Sequence, residues 1–345
     1  MKILKVMTEH TVPFKILIEV LKELLPETNL EFISGDNDND NDNENDNDNN
    51  NSDQDISKNI SDNEKNSSDE EIDCIKNEKT ESNTQKRKDG LKIMAVDTTK
   101  TVLIHLKLDA EEFTKFKCKK KRLVLGVNLV YFHKLIKTMD KDDNLTLYVD
   151  HDNLNYLKIK IDNPEEKKDS VFELKLLDLS EDKMSVPDIT FDAVITMNST
   201  EFHKICREMN QIADHVEIKC LNNKIIFTCK GDYAKRTTTY RTGDSTNQGD
   251  GVNIKFGKNK GTTPAIIQGI YELGNLVLFS KCASLCNEIE IFMKNNYPLV
   301  IKYTVATLGR ILLCLTPIAE DSLKNANYSD EDEYYSDEEV KLIHN

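Results

Sequence analysis

Apolar positions fall at helical spacing in two segments 70 residues apart that share a local code: Phe132-His133-Lys134-Leu135-Ile136-Lys137 and Phe202-His203-Lys204-Ile205-Cys206-Arg207. In the first, Leu129, Phe132, Leu135, Ile136 and Met139 form an apolar stripe; in the second, Phe202, Ile205, Cys206 and Met209 do so. Residues three apart share a helix face, so Lys134 with Lys137 and Lys204 with Arg207 each project a pair of cations away from that stripe. Each helix is therefore predicted to pack on a sheet or core with a basic face outward. Period-two alternation follows both, at residues 145–149 and 154–161 and again at 216–220 and 224–228, which predicts paired strands.

Two fainter copies complete the series. Seventy residues beyond Phe202 stands Glu272, in a segment, 270–285, that carries Lys281 and leads into strand patterns at 288–292 and 299–305. Near the start, residues 14–25 carry Lys15 and Lys22, two turns apart on one face, and lead into 30–33. Between Gly35 and Gly90 the pattern gives way to Asp, Asn, Ser and Glu, and strand alternation resumes at 91–96. Without those roughly 54 residues the Phe14 to Phe132 spacing falls from 118 to about 64, close to the other period. Four helix-plus-strands modules in an α+β fold account for the chain, and internal periods of this size indicate stacked or ring-like architecture.

Charge changes meaning once it is partitioned. The chain carries −15 overall, which at first argues against nucleic acid. Residues 36–85 hold 17 acidic and 4 basic side chains, a net of −13, and residues 320–345 hold 9 and 2, a net of −7, so the remainder is +5. Both appendages have the composition of disordered segments, since high charge with few aromatics buries too little surface to offset chain entropy. A basic body of about 265 residues remains, enough for two domains with ordinary cores.

Other classes find little support. There is no cleavable apolar leader and no stretch of about 18 apolar residues, so the sequence reads as soluble and intracellular, with no membrane partner. The eight cysteines sit mostly within apolar segments without a Cys-x-x-Cys pair and read as reduced core thiols; Cys282 and Cys286 lack the further ligands of a tetrahedral metal site. Alternate carboxylates from Asp36 imitate a calcium loop, but Asn41 and Asn47 stand where the glycine and the bidentate glutamate belong. The glycines and lysines of 257–263 do not form a phosphate loop, and the seven histidines form no catalytic arrangement. No catalytic residue, metal or cofactor is assigned, and the chain is not read as an enzyme.

Gly126-Val127-Asn128-Leu129, the Lys134/Lys137 helix, and Phe172-Glu173-Leu174-Lys175-Leu176-Leu177-Asp178-Leu179 running on to Val186-Pro187 resemble the eukaryotic DNA sliding clamp, proliferating cell nuclear antigen. Glu201-Phe202 with Ile205-Cys206-Arg207, then Pro298-Leu299-Val300 and Leu315-Thr316-Pro317-Ile318 followed by acidic residues, recur in that family's order. The resemblance spans about residues 1–35 and 90–321. It implies a two-domain clamp fold in a head-to-tail homotrimeric ring, with helices lining the hole and antiparallel sheets outside. The implied divisions are an N-terminal domain at 1–173 with an insertion at about 36–89, a connector at 174–190, a C-terminal domain at 191–319 and an acidic tail at 320–345.

By that resemblance Lys15, Lys22, Lys134, Lys137, Lys204, Arg207 and Lys281 are the central-channel cations that contact duplex DNA. Phosphate attraction is independent of sequence and so permits sliding. The connector mixes acids with exposed apolar groups, which suits a docking surface. The resemblance implies a pocket made of Val96, Met184, Val186, Pro187, Pro298, Cys314, Thr316 and Pro317 that takes short aromatic-anchored peptides from DNA polymerase, the clamp loader and other replication and repair proteins. Ile16 replaces a usual lysine, Cys314 a usual tyrosine and Lys100 a usual histidine, while Asn222 aligns with the lysine used for ubiquitin attachment. The expected ring-closing edges are 154–161 and 234–241. The function implied is a DNA polymerase processivity clamp; a hetero-oligomeric or monomeric clamp-fold factor is the alternative. The Asn, Asp, Lys and Ile bias suits an AT-rich genome of a protist or large DNA virus, hence nuclear work if cellular and a cytoplasmic or nuclear replication site if viral.

Overall fold

The computed structural model describes residues 1–34, 89–180, 189–221, 223–242, 252–257 and 266–319. The acidic run up to residue 88, connector residues 181–188, Asn222 and the tail from 320 lie outside the described residues. The first half runs β1 (Lys2–Thr8), α1 (Thr11–Leu24), β2 (Glu27–Ile33), β3 (Gly90–Val96), β4 (Val102–Asp109), β5 (Lys115–Cys118), β6 (Arg122–Asn128), α2 (Leu129–Ile136), β7 (Asn144–Asp150), β8 (Asn153–Asn163) and β9 (Lys168–Lys175). The second half runs β10 (Ala193–Asn198), α3 (Ser199–Met209), β11 (His215–Leu221), β12 (Lys224–Lys230), β13 (Lys235–Arg241), β14 (Asn253–Phe256), β15 (Ile267–Glu272), α4 (Leu273–Ser280), β16 (Glu288–Met293), β17 (Leu299–Val305) and β18 (Gly309–Leu315). The α+β reading holds.

The predicted stripes are the buried faces. Leu129, Phe132, Ile136 and Met139 are buried around α2, as are Phe202, Ile205, Cys206 and Met209 on α3. The repeat extends to the caps. Asn128 accepts a hydrogen bond from the Tyr131 amide, and Asn198 accepts from the Thr200 and Glu201 amides, each four residues before the repeated phenylalanine. Such a cap satisfies an amide that the helix itself leaves orphaned. On α1, Pro13 sits in the first turn, where a missing amide costs nothing. Phe14 of α1 meets Phe132 of α2 edge-on, ring centres 6.2 Å apart, and so joins the first two modules through their helices. The fourth module is a correction: residues 267–272 are strand, α4 begins only at Leu273, and Lys281 opens a 3-10 turn at Lys281–Ser284.

Among the described residues three antiparallel sheets carry these helices. One has the order β5-β1-β7-β8-β9, another β13-β12-β11-β15, and the third spans both halves as β14-β10-β16-β17-β18-β4-β3-β2-β6. The two halves join at β18 and β4, in register from Gly309↔Leu108 to Leu315↔Val102. Burial alternates strictly along β4 and β7, so one face of each sheet meets the helices and the other faces out. At the join Gly309 has φ of +153° and a Cβ there would lie 2.2 Å from the Lys107 carbonyl, so only glycine lets the two halves approach.

One expected edge is overturned. Residues 154–161 lie within β8, which pairs with β7 on one side and β9 on the other, so β8 is interior and, among the described residues, β9 is an edge of that sheet, as β5 is at its other end. The sequence reading missed β9 because its outward positions are largely exposed and its apolar alternation is weak. At the second expected edge, β13 pairs only with β12 among the described residues.

Candidate nucleic-acid and peptide interfaces

α1 packs on α2, α3 packs on α4, and α1 touches the turn at Lys281–Ser284, so the helical segments form one layer across both halves. Lys134, Lys137, Lys204, Arg207 and Lys281 are exposed on it, whereas Lys15 and Lys22 are half-buried. The Lys15 ammonium donates to the Met139 carbonyl at 2.5 Å, and Lys22 is paired with Glu23. The Glu23 carboxyl is held below its ordinary range by the Lys22 hydrogen bond, with Lys281 and His133 nearby. Lys134 lies over the Tyr131 ring, 4.8 Å from its centre, and Tyr131 is itself 58% exposed.

The repeated histidines stand beside these cations. Burial depresses the His133 imidazole, helped by Lys22 and Lys137. His203 is depressed by burial and by Arg207, and its Nδ1 lies 2.8 Å from the Ser280 hydroxyl. Neutral rings at pH 7 are hydrogen-bonding partners between cations rather than further positive charges.

On the opposite, outward face of the large sheet an apolar row crosses both halves. Val96 faces Leu103, which faces Cys314, then Val300, Phe292 and Val194. Directly opposed residues share a face. The Val194 end is filled: Phe191 packs on Phe292 with ring centres 5.6 Å apart, and Val194, Phe292, Val300 and Leu312 are buried with it in a cluster separate from the main core. Val96, Leu103 and Cys314 are only half-buried. Burial pushes the Cys314 thiol up to about 12, so it acts as an apolar group. Asp97 accepts from the Thr101 and Val102 amides at 2.9 and 2.8 Å and fixes the loop beside this row, which Thr316 joins by donating its amide to the Thr101 carbonyl. A groove of about 560 Å³ that includes Pro317, next in sequence to Thr316, is lined also by Ile266, Ile270 and Ile318 among others.

Comparison with known proteins settles the family. Residues 69–184 match the model described as proliferating cell nuclear antigen, N-terminal domain, and residues 185–318 match the C-terminal domain. A "Probable DNA polymerase sliding clamp 1" of Paramecium bursaria Chlorella virus 1 is 31% identical over 233 residues, covering 66% of this chain and 84% of that protein. The chain belongs to the proliferating cell nuclear antigen family. A "Probable DNA polymerase sliding clamp" of Acanthamoeba polyphaga mimivirus is 34% identical over 246 residues, covering 70% of this chain and 50% of that relative, so the chain spans about half its length. The crystal structure of proliferating cellular nuclear antigen from Entamoeba histolytica shares the fold, with a TM-score of 0.68 at 19% identity over 92% of this chain and 100% of that one.

Within this family fold the sequence-predicted cations separate into two groups. Lys134, Lys137, Lys204 and Arg207 are exposed on or at the end of capped helices, while Lys15 and Lys22 have partners within the chain. Of the pocket residues, register brings Val96 and Cys314 to one row, Pro298 precedes β17 at its end, and Thr316 and Pro317 follow β18. Met184, Val186 and Pro187 lie outside the described residues. Sequence reasoning missed Leu103, which holds an outward slot of β4 in the middle of the row; its signal is the unbroken apolar run Val102-Leu103-Ile104, where alternation calls for a polar residue.

Proposed function

We propose that the chain acts as a DNA polymerase sliding clamp: it closes into a head-to-tail ring around duplex DNA and tethers polymerase and other replication proteins. The observation that carries this reading is the pairing of exposed cations on α2 and α3 with a helical layer that spans both halves of a family clamp fold. Cations at matched positions of a repeat attract phosphate without reading sequence, which is what sliding requires. In this reading the domain divisions named from the sequence are kept, the joint at β18 and β4 is internal, and the edges of β9 and β13 are left for neighbouring copies. Unlike edges pairing by rotation close a ring. The role is mechanical, and no reaction is assigned to it.

The half-filled end of the apolar row supports the peptide pocket. Val96, Leu103 and Cys314, flanked by Pro298, Thr316 and Pro317, present apolar surface beside the start of the connector. Aromatic-anchored segments of polymerase and of the clamp loader are the proposed occupants, each buried anchor contributing roughly 2 kcal/mol or more. The workplace follows the source: the nucleus of a cell, or the replication site of a virus.

The test measures assembly and processivity together. Light scattering after size exclusion is expected to give three copies, and the protein is expected to lengthen polymerase products on primed DNA. Val171, 49% exposed on β9, and Thr237, exposed on β13, lie on the two edges. Changing both to aspartate puts like charges on surfaces that should meet, and the double variant is expected to be a folded monomer without processivity. A parent protein that stays monomeric at micromolar concentration yet still extends processivity would overturn the ring.

A further inference from the structure

Residues 115–122, covering β5 and the turn into β6, carry six cations in eight positions. The turn residues Lys119, Lys120 and Lys121 and the adjoining Arg122 are exposed. Backbone bonds hold the turn in place: the Lys119 amide donates to the Ile3 carbonyl at 2.9 Å and the Ser34 amide donates to the Lys121 carbonyl at 3.2 Å. The positive charge continues onto the outward face of the large sheet, where Lys92, Lys107 and Arg310 lie directly opposite one another on β3, β4 and β18. Like charges facing each other across strands are unfavourable. Nε of Arg310 is buried with no hydrogen-bond partner, and burial together with these three cations depresses His105 to about 4. Among the described residues the carboxylates at this end are Glu31, paired with Arg122, Asp109, two residues beyond Lys107, and Asp89, Glu111 and Glu112 of the adjoining turn. The described side chains at this end of the sheet therefore sum to a positive excess.

That same end is where the acidic segment is rooted. Ile33 pairs with Arg122 on one side and with Gly90 on the other, so both flanks of residues 35–88 meet the sheet beside the basic turn. Residues 36–55, starting two positions after Ser34, hold nine carboxylates and no cation. We propose that residues 36–55 bind the basic surface formed by the 119–122 turn and the Lys92, Lys107 and Arg310 row of their own chain. Each exposed ion pair contributes at most about 1 kcal/mol, but a short tether raises the effective concentration to roughly millimolar, so several weak pairs suffice. The consequence, which rests on the clamp reading, is that phosphates are drawn to the helical layer and not to this outer basic surface.

The test uses the full chain. Zero-length carboxyl-to-amine cross-linking at low salt is expected to join Lys119, Lys120 or Lys121 to carboxylates of 36–55, and the links should vanish near 1 M salt, where the screening length is about 3 Å. Mixing isotopically light and heavy chains separates links within one chain from links between copies. Exchanging the nine carboxylates for Asn or Gln should raise the acetylation rate of those three lysines about threefold to tenfold, the range expected from pairing energies near 1 kcal/mol. It should also raise binding to linear duplex DNA, an effect reversed by Lys119→Glu with Lys120→Glu. Unchanged lysine reactivity in the neutralised variant, or links only between light and heavy chains, would overturn the proposal. Cross-links and reactivity do not depend on clamp activity, so failure here is distinct from failure of the clamp reading.

Discussion

α2 and α3 differ from α1 and α4 in chemistry although all four occupy equivalent places in the repeat. The first two start at an asparagine cap and carry exposed cations three apart; the other two have no side-chain cap bond. The cations of α1 are spent within the chain, Lys15 on the Met139 carbonyl and Lys22 on Glu23, and α4 has none until Lys281 follows it. The architectural repeat is thus fourfold and the basic repeat twofold. The stripe that packs on the sheet is common to the repeat, while exposed charge on the opposite face is not.

The largest effect should come from reversing the basic helices. Changing Lys134, Lys137, Lys204 and Arg207 to glutamate is expected to abolish stimulation of polymerase processivity while leaving assembly intact, whereas Lys15→Glu with Lys22→Glu should retain most of it. Primer-extension length at moderate salt measures both. Equal losses in the two variants would erase the distinction between the helix pairs.

The caps sharpen the same contrast on the stability side. Asn128→Ala and Asn198→Ala each remove an acceptor from an orphaned helix amide and should cost about 1 kcal/mol. Glu272→Ala should cost much less, since its side chain meets Asn275 and no helix amide. Denaturant melts of the three variants decide this.

Single truncations separate the two groups more finely. Lys134→Ala or Lys204→Ala should lower the slope of log affinity against log salt by about 0.9 if one phosphate contact is lost. Lys15→Ala should leave that slope alone and cost about 1 kcal/mol of stability through the lost bond to Met139. DNA titrations at several salt concentrations, beside melts, read both quantities.

Much of this was legible in the sequence, for reasons that differ by element. The buried stripes of α2 and α3 were plain because Phe132 and Phe202 repeat within an identical Phe-His-Lys string. α4 was placed too early because Ile270 and Tyr271 are apolar and periodicity cannot tell a short apolar strand from a helix. Edge β9 escaped because, with most of its side chains exposed, its apolar alternation is weak. The hydrogen bond made by Lys15 to a backbone carbonyl 124 residues away carries no signal in residue spacing, so it could be seen only in three dimensions.

The smallest expected effect concerns the two repeated histidines, and it again falls on α2 and α3 alone. Both imidazoles have folded values below the ordinary 6.5, burial first and neighbouring cations second. The unfolded chain therefore binds more protons than the folded one as pH falls through 6.5, and stability contributed by these neutral rings is lost on acidification. DNA bound as proposed should reverse the preference, because phosphates beside α2 and α3 would favour the charged ring against Lys22, Lys137 and Arg207. Mild acid should thus slow DNA release while it weakens the free protein, the effect on release remaining within a fewfold at moderate salt because both rings are partly solvated. His133→Gln with His203→Gln should flatten both trends between pH 7.5 and 6. Release rates from circular DNA and melting temperatures across that interval test the two signs separately, and a double variant with the parent's pH profile in both would place the titrating groups elsewhere.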